Sequence, residues 1–190
     1  MRYWLVVPVV CSLLSLGACR GGDEGDGKSS SPPVDLRPVI DVGPYLCDLV
    51  PEGEFRRVTG LSLRLSPRWS GNLTTTGLCL AYAQGRDAPL GIHWRYGDGE
   101  EVIRRLEKSY ADNGIHALPE GLGKGFASPA AGYPNPNYVI SLFKCGDKRP
   151  WLSIDFAPVV RGRDAVQDMF AFMRIAQKRF GELHKCTPRP

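Results

Sequence analysis

The chain has 190 residues, 43% hydrophobic and 23% charged, enough for one folded domain with a tail and too apolar for disorder throughout. Its 22 glycines and 16 prolines exclude a long-helix bundle or coiled coil and favour short elements joined by turns. A formal net charge of +4 is too mild for a dedicated nucleic-acid binder, so no nucleic-acid partner is expected.

The chain opens Met1-Arg2 and then runs apolar from Tyr3 to Ala18, interrupted by Pro8. That run is shorter than the ~20 residues a membrane-spanning helix needs. A charged start, an apolar core and small terminal residues describe a secretory signal peptide over 1–18. Its end, Leu16-Gly17-Ala18-Cys19, has the form of a bacterial lipobox, in which the Cys19 thiol takes a diacylglyceryl group and becomes the new N-terminus. The expected location is therefore the outer face of the cell membrane, with the membrane engaged through this lipid.

Residues 19–44 are rich in Gly, Ser, Pro and acid and hold no aromatic. They read as a flexible linker with a root-mean-square reach of roughly 25–30 Å. The folded part is expected over 45–190 as a single extracytoplasmic domain. Four cysteines fall there: Cys47, Cys79, Cys145 and Cys186. An even, widely spaced set in an exported domain reads as two disulfides. Three connectivities are open; Cys47–Cys79 with Cys145–Cys186 is preferred because it ties each half to itself.

A short helix is predicted over Pro51–Thr59, stopped by Gly60, with Phe55 and Val58 on its apolar side. Leu61, Leu63 and Leu65 alternate with polar residues as a half-buried strand, and Pro67–Gly77 reads as a polar loop. Strands follow over Leu78–Ala83 and Leu90–Tyr96, the second ending at the turn Gly97-Asp98-Gly99. Val102, Ile103, Leu106 and Tyr110 then take helical spacing, with Glu100 and Glu101 suited to the N-terminal dipole. Residues 115–137 carry four Gly and four Pro, which excludes a long regular element; Leu118, Leu122 and Phe126 are its inward contacts. Tyr138–Cys145 and Trp151–Ala157 form a hairpin. A helix from about Arg163 to His184 aligns Val166, Met169, Phe170, Met173, Ala176, Phe180 and Leu183 on one face. The fold class that follows is α+β: an antiparallel sheet of about five strands packed by helices and stapled by two disulfides.

Cys47-Asp48-Leu49-Val50-Pro51 resembles the Cys-x-Leu-x-Pro region of a family of actinobacterial lipoproteins, the domain of unknown function 3558 family. Gly121-Leu122-Gly123-Lys124-Gly125-Phe126 resembles that family's Gly-Leu-Gly-x-x-Ala/aromatic segment, and the long C-terminal helix is similar too. The resemblance spans roughly 45–186 together with the lipobox. It implies an exported, tethered, disulfide-bonded α+β domain, similar to the sheet-plus-helices fold of photosystem-associated extrinsic proteins. It carries over no catalytic residue.

The chain shows no Gly-x-Ser-x-Gly, His-Glu-x-x-His or P-loop pattern, so no catalytic residues, metal or cofactor are expected. The three-glycine run 121–125 reads as tight backbone packing, His93 as a structural residue, and His184 as a cation at a helix C-terminus. Pro134-Asn135-Pro136-Asn137, flanked by Tyr133 and Tyr138, is the candidate ligand or partner loop. Arg56, Arg57, Arg64 and Arg68, with Arg161, Arg163, Arg174, Lys178 and Arg179, would suit an anionic envelope surface. The function expected is a non-catalytic binding or accessory module for an envelope ligand or protein. The alternatives are a structural or signalling partner of a membrane complex and an envelope hydrolase built on His93 or His116.

Overall fold

The computed structural model describes residues 35–190 apart from 73, 74, 86 and 133; the signal peptide, Cys19 and the first part of the linker lie outside the described residues. Two short strands, β1 (Tyr45–Leu46) and β2 (Val50–Pro51), pair with each other and lead into α1 (Glu52–Thr59). Gly60 ends that helix in the left-handed region, where a glycine carries no Cβ penalty. β3 (Ser66–Ser70), β4 (Thr76–Tyr82) and β5 (Leu90–Tyr96) follow, then α2 (Gly99–Ser109). Next come β6 (His116–Ala117), β7 (Lys124–Ser128), β8 (Asn137–Leu142), β9 (Lys144–Cys145) and β10 (Pro150–Phe156). The chain closes with α3 (Ala165–His184) and β11 (Pro188–Arg189).

Seven strands form one antiparallel sheet in the order β3-β4-β5-β10-β8-β7-β6, and β11 pairs with β9. The α+β class thus holds, with seven strands in the main sheet where about five were expected. The two extra ones, β6 and β7, come from the stretch 115–137, where four Gly and four Pro leave little hydrophobic signal. β3 falls at 66–70 instead of 61–65: as an edge strand it is specified by pairing Trp69 with Cys79 and needs only one inward side chain. β7 forms inside the glycine-rich stretch because Gly123 and Gly125, both at positive φ, bring their Cα atoms against the carbonyl oxygens of Leu142 and Ile140. A Cβ at either position would strike those oxygens, so the run is tight backbone packing.

The sheet is covered on both faces. α1 and α3 lie on one, where Phe156 meets Phe55 and Phe172 edge to face and Phe180 fits between Trp94 and Phe143. α2 covers part of the other through Val102 and Ile103 against Phe126, Ile140, Leu142 and Trp151. Asp164 caps α3 by accepting from the Val166 and Gln167 amides at 2.9 and 3.1 Å. Phe172 widens the buried stripe on α3 and Ile175 is buried at its edge, beside Met169, Phe170, Met173, Ala176 and Phe180, while Val166 is half-buried. Leu183 departs from the stripe: the helix there has passed the sheet edge, and this residue is 49% exposed. Gln177 joins α3 to the sheet, donating to Ser141 Oγ at 2.7 Å and to the Leu122 carbonyl at 2.9 Å.

Cys47 is bonded to Cys79 and Cys145 to Cys186, with Cα separations of 5.9 and 5.3 Å. The first bridge ties the arm before α1 to β4, and the second ties the end of α3 to β9.

Residues 35–44 are docked, which corrects the reading of 19–44 as a flexible linker for its last ten positions. Arg57 donates to the carbonyls of Arg37 and Pro38 at 2.9 and 3.0 Å, and Arg163 donates to those of Asp35 and Arg37. Asp41 takes Tyr45 Oη at 3.0 Å and Lys178 Nζ at 2.5 Å. Several cations read as an anionic-surface patch are therefore engaged within the fold. Arg56 pairs with Glu52, Arg57 with Glu54, Arg163 with Asp168 and Arg179 with Glu182. We call residues 35–44 the strap.

Candidate functional site

Four chain segments meet at the end of the sheet where β4 and β10 leave and β5 and β8 enter. Between them lies a cleft of about 900 Å³. Its walls are Leu61 and Leu63 after α1, Ala83 and Pro89 at the two ends of the β4–β5 connection, Ala157 and Pro158 after β10, and Ala130, Gly132 and Pro134–Pro136 ahead of β8. Proline recurs here for a physical reason. It lacks the N–H that a ladder needs, so it ends strands, and its fixed φ gives a rim with little conformational freedom to lose. Leu63 is 45% exposed and turns an aliphatic side chain into this cleft. The alternating leucines therefore line a hollow instead of pairing as a strand.

Asn135 holds the rim in place. Its Nδ2 donates to the Ala88 carbonyl at 3.0 Å and to Asp155 Oδ1 at 2.7 Å, and the Ala131 amide closes the turn on the Pro136 carbonyl at 2.8 Å. The Asp155 carboxylate lies over Gly91, where a Cβ would collide with Oδ2. Burial raises the pKa of Asp155, and the Asn135 bond opposes that shift. The charged form is thus disfavoured in the fold, and the folded state retains the proton at a pH where the unfolded chain has lost it. Stability contributed here falls as pH rises above the ordinary value of 3.8. Asp155→Asn keeps the acceptor for Asn135 and removes the ionisation. Its stability relative to the parent should rise with pH across that window, read by urea unfolding at several pH values; a difference independent of pH would refute the assignment.

The four residues of the candidate loop separate. Tyr133 lies outside the described residues. Asn135 reaches the cleft, as above. Asn137 is buried and structural, donating to the Ala157 carbonyl at 2.7 Å. Tyr138 sits on the opposite face of the sheet, 5.5 Å from the Tyr110 ring, with its phenol pushed up foremost by burial. The separation follows from strand alternation: β8 begins at Asn137, so the next side chain must point the other way.

The histidines also resolve. His93 packs edge-on against Trp151 at 4.6 Å, and burial, then Arg95, lowers its pKa. Ser153 and Asp155 share its face, but their side chains turn elsewhere: Ser153 Oγ to the His93 carbonyl at 3.5 Å and Asp155 to Asn135. His116 is exposed in β6. His184 stacks on Phe180 at 4.0 Å and meets Trp94 at 4.7 Å. Burial and the nearby Lys148 lower its pKa from 6.5, so it is largely neutral at pH 7 and not the helix-end cation expected.

The described residues hold no cluster of three or more His, Cys, Asp or Glu arranged for a metal ion. Among them no helix is long and apolar enough to cross a membrane. Comparison of the chain with family models, curated proteins and solved structures found no match in any of the three.

Proposed function

We propose that this chain is an exported lipoprotein, tethered through Cys19, whose α+β domain is a non-catalytic binding module for an apolar envelope ligand such as an acyl chain. The single observation that carries the reading is the proline-rimmed cleft, lined by Leu61, Leu63, Ala83 and Ala157. Its volume lies within the ~300–1,000 Å³ of small-ligand sites, and such sites are apolar with a few placed polar groups. Asn135 and Asp87 supply polar groups at the rim. The lipid on Cys19 would keep the domain near a source of such ligands. The different partners taken by His93, Ser153 and Asp155 favour binding over hydrolysis.

The test is titration of the purified protein with a fluorescent fatty acid, cis-parinaric acid. Saturable binding is expected, weakened at least about tenfold by Leu63→Asp, equivalent to about 1.4 kcal/mol. Leu63 is exposed, so the substitution should leave the fold intact. Absence of saturable binding, or equal affinity in the variant, would overturn the proposal.

A further inference from the structure

A second hollow, of about 660 Å³, opens where the end of α3 meets β5 and the β8–β10 connection. Rings form its walls. Trp94 meets Tyr96 at 5.5 Å, Tyr96 and Trp69 are half-buried, and the His184–Phe180 stack closes the helix side. Gly77 makes the arrangement possible: a Cβ there would strike the Trp94 indole and crowd Trp69. Around the rings stand four ionised groups, Asp48, Asp147, Lys148 and Lys185, all exposed.

From this combination we infer that the hollow is a saccharide-binding site, separate from the apolar cleft. Two carboxylates and two ammonium groups balance, so neither a cation nor an anion gains from the rim as a whole. A purely apolar ligand would strip water from charged groups and give nothing in return. A neutral sugar meets both demands. Its hydroxyls donate to Asp48 and Asp147 and accept from Lys148 and Lys185, while its C–H face lies on the half-buried Trp69 and Tyr96 rings. Lys148 Nζ sits over the Tyr96 ring, 4.7 Å from its centroid, and a stacking sugar displaces this exposed ammonium to the edge of the ring, where it donates to a hydroxyl. The neutral state of His184 at pH 7 keeps the charge balance intact.

The backbone fixes two of the rim residues. Of the four non-glycine residues at positive φ among the described residues, two line this hollow: Asp48 at 57° and Lys185 at 54°. Lys185 occupies the α3 C-cap in left-handed geometry, where glycine would be less strained. Both conformations belong to the local structure: Asp48 follows Cys47 in the tight turn between β1 and β2, closed by the Leu49 amide on the Leu46 carbonyl at 3.1 Å, and Lys185 ends α3, so each side chain is presented from a fixed backbone.

The experiment is calorimetry and tryptophan fluorescence on the purified full chain with maltotriose, cellotriose and chitotriose, with choline chloride and sodium acetate as charged probes. At least one trisaccharide is expected to bind saturably and shift the emission. Trp69→Ala should weaken that binding at least about tenfold, and Lys148→Ala several-fold, while Leu63→Asp leaves it unchanged. Lys148 is exposed, so its variant reports on the site should the Trp69 variant fold poorly. Binding by none of the three sugars up to about 50 mM, binding that survives both substitutions, or saturation by choline or acetate instead would overturn the inference. Because the fatty-acid titration reads a different cavity, failure of either proposal leaves the other standing.

Discussion

Replacing Cys47 and Cys79 together by alanine is expected to lower stability by about 4 kcal/mol, measured as a fall in the urea midpoint of unfolding. The bridge spans 32 positions, and in the chain-entropy account a loop of that length removes about 3.7 kcal/mol of freedom from the unfolded chain. Both cysteines are also buried, at 1% and 0% exposure, so the lost sulfurs leave contacts unmade in the core. The Cys145–Cys186 loop is longer, with 41 positions, but Cys186 is only half-buried. Its removal should cost no more than the first despite the longer loop. A domain of this size has about 5–15 kcal/mol in total, so the first variant should be visibly marginal and the loss of both bridges close to unfolding. An unchanged midpoint after removal of Cys47–Cys79 would refute the entropic account.

Arg163→Ala should cost about 3–5 kcal/mol, because it leaves a carboxylate buried without its partner. The guanidinium and the Asp168 carboxylate are 4% and 6% exposed, and Arg163 donates to both Asp168 oxygens, at 2.8 and 2.5 Å. Two planar forks at this depth cannot be replaced by water. The double variant Arg163→Ala, Asp168→Ala should be less damaged than the single one, since no lone charge remains. Hydrogen exchange separates a second consequence: in both variants the Arg37 and Ile40 amides, which donate to the Asp35 and Glu54 carboxylates, should exchange faster, because Arg163 also holds the Asp35 and Arg37 carbonyls. A strap that stays protected in both would show that Arg57 alone suffices to dock it.

Periodicity made the central elements legible. Leu90, Ile92 and Trp94 alternate and are all buried, and the α3 stripe from Met169 to Phe180 faces the sheet. The hairpin around 146–150 needed only two apolar runs and a turn. What periodicity could not show was anything held by non-local polar contacts. The strap is polar, yet it is ordered by arginines from the last turn of α1 and the approach to α3, 19 to 128 positions away in the chain. Edge strand β3 borrows its order from β4, and Leu61 and Leu63 imitate a strand while walling a cleft. The cleft itself gathers four segments distant in the chain, and of its lining only the Pro134-Asn135-Pro136 stretch stood out as a candidate loop. Asn135 was found because it lies among those prolines. The aromatic hollow left no local trace, since Trp69, Trp94, Tyr96 and His184 come from three separate elements.

The strap also decides how the molecule would bear a pull from its N-terminal side. Tension would enter at Asp35, where Arg57 and Arg163 grip successive carbonyls, before any strand of the sheet is loaded. Further along, Asp41 hands the load to Lys178 on α3, and the Cys47–Cys79 bond then transmits it covalently into β4. Stretching would therefore peel a sacrificial latch first and meet a chemical bond second, leaving both cavities undistorted until the latch has gone.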